Sequence, residues 1–111
     1  MKDDRVYLQH ISDALGRILS YTGGGRDAFL ANPQAQDAVI RNLEIVGEAV
    51  KHLSPELRQQ HPDIPWKRIA GMRDEMIHEY FGVDLTIVWN VVEQHVPPLR
   101  QTVERVLRQA D

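Results

Sequence analysis

The chain contains no cysteine. Disulfides and thiolate chemistry are therefore excluded, and the absence fits a reducing compartment such as the cytoplasm. No apolar run approaches the ~20 residues that a membrane-crossing helix needs. The opening Met1-Lys2-Asp3-Asp4-Arg5 is charged and has no apolar signal-peptide core. Positive charge is not in excess: 13 Lys and Arg stand against 16 Asp and Glu, a formal net charge of -3. That balance counts against generic nucleic-acid binding, so an RNA partner would have to meet a local basic patch. Strand patterns, internal repeats and low-complexity segments are also missing.

What is present is helical periodicity. At 111 residues and 42% hydrophobic content, the chain is sized for one domain, residues 1–111, with a single core. Leu8, Ile11, Leu15 and Ile18 recur at three- and four-residue steps, predicting a first helix over Asp4 to Tyr21. Thr22-Gly23-Gly24-Gly25 ends it. No Lys-Ser or Lys-Thr follows these glycines, so they do not form a phosphate-cradling loop. Arg26 to Ala31 reads as a short helical turn. Asn32 and Pro33 then supply an N-cap and a first helical residue.

The second long helix is expected over Pro33 to His52, with Val39, Leu43, Val46, Val50 and Leu53 as its core stripe. Another face carries Arg41, Glu44, Glu48 and Lys51. It reads either as a solvated stripe of ion pairs or as a polar seam toward a partner. Ser54-Pro55-Glu56 opens a short helix closed by His61-Pro62. A third helix is expected from about Asp63 or Pro65 to Phe81-Gly82, with Ile69, Met72 and Met76 inward and Gly71 inside it. Asp84 caps a fourth. There Leu85, Val88, Trp89, Val92, Val96, Leu99, Val103 and Val106 keep phase through Pro97-Pro98. Unbroken phase favours one long kinked helix; two helices meeting near Val96 are the alternative. Helices with short connections imply an all-α fold, an antiparallel four-helix bundle with short extra helices.

The chemistry concentrates in Arg73-Asp74-Glu75-Met76-Ile77-His78-Glu79-Tyr80. On a continuous helix Asp74 stands one turn before His78, placed to hold one imidazole nitrogen. Arg73 and His78 are about 140° apart on such a helix, a loose site in one copy and a tighter one across a two-fold axis. Glu75-x-x-His78 has the spacing of a di-iron ligand pair, but that site requires the motif twice, and no second copy or His-Glu-x-x-His exists. Neither a metal nor another cofactor is expected. Histidine moves protons near neutral pH, and arginine grips phosphate oxygens in a fork. Together they suit RNA cleavage by attack of the ribose 2′-hydroxyl on its own phosphate. By spacing alone, an Arg-x-x-x-x-His pair is more often two solvated side chains.

Longer stretches add specificity. These are Arg41-Asn42-Leu43-Glu44-Ile45-Val46-Gly47-Glu48-Ala49, Ile64 through Arg73, Asp74 through Asp84, and Ile87-Val88-Trp89. In this order the chain resembles the HepT-like ribonuclease toxins of the HEPN superfamily, whose motif Arg-x-x-x-x-His-x-Tyr falls on Arg73, His78 and Tyr80. Asp74 departs from the asparagine common in relatives; it stays polar and able to order His78. The resemblance implies a helical homodimer whose two motifs form one cleft, with RNA as substrate and Arg73 and His78 catalytic. It also implies a small nucleotidyltransferase antitoxin of the MntA type, which transfers AMP from ATP onto Tyr80. Added phosphate would place negative charge where the RNA phosphate belongs. The competing reading is a non-catalytic HEPN-type helical module that docks a nucleotidyltransferase or a nucleotide. The acidic balance and Asp74 motivate it.

Overall fold

The structure, a computed structural model, describes residues 2–72, 77–78 and 82–109, with backbone alone at 2, 3, 77, 78, 82 and 83. Its class is all-α. Seven helices occupy the described residues: α1 (Lys2–Thr22), α2 (Arg26–Leu30), α3 (Pro33–Lys51), α4 (Pro55–Gln60), α5 (Trp66–Ala70), α6 (Leu85–Gln94) and α7 (Val96–Gln109). Two short extended pieces, β1 (Ile77–His78) and β2 (Gly82–Val83), lie between α5 and α6.

The apolar spacing of α1 determines which side faces inward. Leu8, Ile11, Ala14, Leu15 and Ile18 are all buried, the last four completely. They meet the equivalent stripe of α3, where Val39, Leu43, Val46 and Val50 are equally enclosed. Each valine, leucine or isoleucine among them contributes about 1.5–3 kcal/mol by leaving water. The α1–α3 pair is the most extensive helix packing in the molecule, and α7 lies against α1. The glycine run turns the chain at Gly25, whose φ of 90° suits a residue without a side chain. That turn delivers α2, which inserts Phe29 against Trp89, ring centroids 5.5 Å apart.

The start signals act as expected. Asn32 accepts from the Ala35 N–H at 3.1 Å, with Pro33 following in the first turn. Ser54 Oγ accepts from the Leu57 N–H at 3.1 Å and opens α4. Ser54 is itself held from a distance. The Asp4 carboxylate accepts from the Ser54 N–H at 2.8 Å and from its hydroxyl at 2.6 Å. Asp4 is buried, and these bonds satisfy its charge while pinning the first turn of α1 to that of α4.

Two expectations need correction. The third helix does not run from Pro65 to Gly82. α5 ends at Ala70, where the Gly71 N–H donates back to the Lys67 and Arg68 carbonyls, and residues 77–78 and 82–83 are extended. They pair antiparallel, Ile77 with Val83 and His78 with Gly82, although no strand signal was read there. Glycine costs ~1 kcal/mol inside a helix, and β-branched Ile77 and Val83 suit extended backbone. The fourth helix, in turn, is two. α6 stops at Gln94, His95 forms the joint with φ -102° and ψ -30°, and α7 begins at Val96. Pro97 and Pro98 then sit in the first turn of α7, where their missing N–H groups leave no helical bond undone. The apolar phase still carries across, so Val92, Val96, Leu99 and Val103 are all buried.

Candidate functional site

The predicted motif leaves the end of α5, so what holds α5 sets the site's foundation. This helix has only five residues and no side-chain cap. Burial of Trp66 and Ile69, and of Met72 just beyond, anchors it. The Trp66 indole N–H lies 2.9 Å from the His61 carbonyl and 3.2 Å from that of Arg58, and donates to both. α3 accommodates its C-terminal end through Gly47. A Cβ at Gly47 would stand 3.2 Å from the Ile69 carbonyl oxygen and 3.5 Å from that of Ala70. The absent side chain therefore lets the last carbonyls of α5 approach the α3 backbone. On the far side of the motif, Asp84 Oδ1 accepts from the Thr86 and Ile87 N–H groups at 3.0 and 3.3 Å and starts α6.

Of the predicted site residues, Arg73, Asp74 and Tyr80 lie outside the described residues, as does Met76. His78 is described in its backbone, which pairs with Gly82 in the short ladder. Its extended conformation removes the helical i, i+4 argument that placed Asp74 beneath the imidazole. The motif is thus bracketed by two firmly seated helices, and the ladder sets the backbone path at His78.

Cationic side chains cluster just upstream. Lys67 and Arg68 are exposed on α5, five or six residues before Arg73. Arg68 also borders a hollow of about 240 Å³ between α5 and α6, lined by Ile87, Asn90, Val91, Gln94 and His95. This is the local basic character that an acidic chain needs if it is to meet a phosphate backbone. Among the described residues, no group of three His, Asp or Glu side chains is arranged to hold a metal. No helix among them is long and apolar enough to cross a membrane.

A larger concavity, about 520 Å³, lies on the outside of the α1–α3 pair and includes Arg41, Glu44, Glu48 and His52. Tyr7 stacks on His52 there, centroids 4.7 Å apart and planes 12° from parallel, and His10 meets the Tyr7 ring edge-on. Glu48 lies 3.7 Å from Lys51 and 3.5 Å from His52, all three well exposed. Such pairs contribute little stability.

Comparison with known proteins now gives this frame an identity. A family model described as Ribonuclease HepT-like matches residues 11–106. The chain belongs to the HepT-like ribonuclease family. A Caldanaerobacter subterraneus protein named as a candidate RNase, TTE0752, is 42% identical over 109 residues, covering 97% of each chain. A Thermococcus cleftensis protein named probable ribonuclease HepT is 41% identical over 106 residues, covering 95% of this chain and 96% of the other. A Methanocaldococcus jannaschii protein, MJ0434, is named both a gamma-glutamylcyclotransferase and a candidate RNase. It is 42% identical over 111 residues, and this HepT-like chain spans 50% of its length. No solved structure matches the chain.

Two features of this HepT-like frame carried no readable signal in the sequence: the contact of α5 with Gly47 and the link from α1 to α3 at Asn42. Gly47 was visible as a glycine within an apolar stripe, but nothing local says which backbone approaches it. Asn42, 6% exposed, accepts from Arg17 Nε at 2.7 Å and donates to the Ala38 carbonyl at 2.8 Å. A buried amide that bridges a guanidinium of α1 and a carbonyl of its own helix has no periodic signature.

Proposed function

We propose that this protein is a metal-independent endoribonuclease toxin that cleaves RNA with Arg73 and His78, drawn from two protomers into one cleft. Its helices are read here as the antiparallel four-helix bundle of a homodimer. The observation that carries the reading is near-full-length kinship to the HepT-like ribonucleases in a chain that has Arg73, His78 and Tyr80 at the motif spacing. The exposed Lys67 and Arg68 on the helix that leads into the motif support it.

The chemistry is a transesterification. The ribose 2′-hydroxyl attacks the adjacent phosphorus and the bond to the 5′-oxygen breaks. This yields a 2′,3′-cyclic phosphate and a 5′-hydroxyl. His78 takes the attacking proton or supplies the one the leaving oxygen needs, a role suited to a group that titrates near neutrality. The Arg73 guanidinium forks onto the phosphate oxygens and stabilises charge that grows in the transition state. Asp74 orders the catalytic pair. Tyr80 is the acceptor through which an MntA-type nucleotidyltransferase antitoxin, using ATP, silences the cleft by AMPylation. No cofactor is required, and the reaction takes place in the cytoplasm.

The deciding experiment is cleavage of RNA by the purified protein in excess chelator. His78→Ala and Arg73→Ala are each expected to lower the rate at least ~10²-fold, with the helical circular dichroism unchanged. Full cleavage by His78→Ala under chelation rules the mechanism out. Stable capture of the nucleotidyltransferase with no cleavage by the unmodified protein would instead favour the non-catalytic binding module. Mass spectrometry after incubation with that partner and ATP should place an adenylyl group on the Tyr80 peptide, with Tyr7 and Tyr21 unmodified.

A further inference from the structure

We propose that the hollow between α5 and α6 is a base-reading subsite that takes an unpaired adenine of the RNA strand. The inference rests on the RNA-binding part of the reading above and adds the base and the side chains that select it.

α6 has two distinct faces. Val88, Trp89 and Val92 are buried and hold it to the core. Ile87, Asn90, Val91 and Gln94 step by three, one and three residues, so they share another face. That face borders the hollow of about 240 Å³, which Arg68 of α5 and His95 at the α6–α7 joint also line. Val91 is buried and Ile87 half-buried, whereas Asn90 and Gln94 are exposed. An apolar floor therefore carries two amide heads. Neither amide side chain has a hydrogen-bond partner among the described residues. The place suits a substrate contact, because α5 leads into the motif and α6 leads out of it. Arg68 precedes Arg73 by five residues, and Ile87 follows His78 by nine.

Size and chemistry together point to the occupant. Pockets for drug-sized ligands run to ~300–1,000 Å³; this hollow is smaller and takes one ring system. RNA sequence is read mostly on unpaired bases, which rest on flat side chains and bond along their edges. The His95 imidazole and the Arg68 guanidinium are such flat groups. Among the described residues, no carboxylate lines the hollow to repel the neighbouring phosphates. Each amide sets an acceptor oxygen beside a donor nitrogen. Asn90 and Gln94 are one turn apart, which places their Cβ atoms ~5–6 Å from each other. Adenine matches that pair. Its 6-amino group carries two hydrogens and is flanked by two acceptors, N1 and N7. One amide accepts an amino hydrogen and donates to N1; the other does the same at N7. Cytosine has an acceptor on only one side of its amino group, and guanine and uracil carry a carbonyl in its place.

Fluorescence polarisation with the full chain tests this. The probes are a labelled 2′-O-methyl uridine decamer and the same decamer with one central adenine. The 2′-O-methyl group removes the attacking hydroxyl, so binding is read without cleavage. The parent should bind the adenine decamer at least ~5-fold more tightly, the selectivity of one well-placed amide contact. Asn90→Ala and Gln94→Ala should each bring that preference to within twofold of none while leaving affinity for the all-uridine decamer unchanged. Glu93→Gln, on the same helix but outside the hollow, should keep the preference. Replacing the adenine with purine, which lacks the 6-amino group, should cost the parent its preference and cost Asn90→Ala nothing further. Helical circular dichroism confirms that each variant is folded. Equal binding of both decamers, a stronger preference for a central cytosine or guanine, or an adenine preference that survives both amide variants would each overturn the subsite. Adenine-selective binding without chelator-resistant cleavage would leave the subsite standing and sink the nuclease reading. Chelator-resistant cleavage with no adenine preference near the cut would do the reverse.

Discussion

The α1–α3 pair and the five-residue α5 are both ordered and both buried, yet for different reasons. α1 and α3 have 21 and 19 residues. Each repeats its apolar spacing often enough to define an inward face without help, and α3 also carries its own Asn32 cap. α5 has too few turns to persist alone and lacks a side-chain cap. It is held from outside, by the carbonyls that receive Trp66 and by the space left at Gly47. Stability thus resides mainly in the long pair, whereas the position of the motif depends on the short helix. Damage to one should be separable from damage to the other.

The largest effect that would sharpen this contrast is Leu15→Ala. Leu15 is fully buried between α1 and α3 and borders a small apolar gap toward Ile69 and Val96. Its truncation should cost about 3 kcal/mol, read as a shift in the urea midpoint. The remaining folded protein should cleave RNA at close to the parent rate. A disproportionate loss of cleavage would show that the long pair also sets the site.

Gly47→Val should show the opposite pattern. Its side chain enters the space of the Ile69 and Ala70 carbonyls and should cost about 2 kcal/mol. Cleavage should fall well beyond the unfolded fraction, because α5 must shift and the motif follows it. Unchanged activity per folded molecule would break the comparison. Gly47→Ala should be milder, since the ~1 kcal/mol gained in helix propensity offsets part of the crowding.

Trp66→Phe is the smallest. It keeps most of the buried ring but removes the N–H that serves the Arg58 and His61 carbonyls. A loss of about 1 kcal/mol is expected, visible as a few degrees in Tm. A neutral result would mean that water replaces the indole at those carbonyls.

The outcome at each element follows from how far its cause lies along the chain. The stripes of α1 and α3, the caps at Asn32, Ser54 and Asp84, and the turn at the glycine run were all legible, because each depends on residues within about four positions. The end of α5 was misread: Ile69, Met72 and Met76 keep helical phase, and phase alone cannot report that Gly71 interrupts the helix. The extended pairing of His78 with Gly82 was invisible for a similar reason. Two residues on each side are too few to alternate. At Pro97-Pro98 the phase was right and the continuity wrong, since apolar order survives a joint that the backbone bonds do not cross.

By itself the sequence determined the helical class, the inward faces of the long helices, and the family, through motifs that lie between Arg41 and Trp89. Only the tertiary structure decided that Asp4 holds Ser54 fifty residues away, that Asn42 receives Arg17, and that α5 rests in the space Gly47 leaves open. Periodicity encodes which way a side chain points, because helical geometry is local. Which surface it then meets depends on the whole chain closing around one core, and no window of neighbouring residues contains that information.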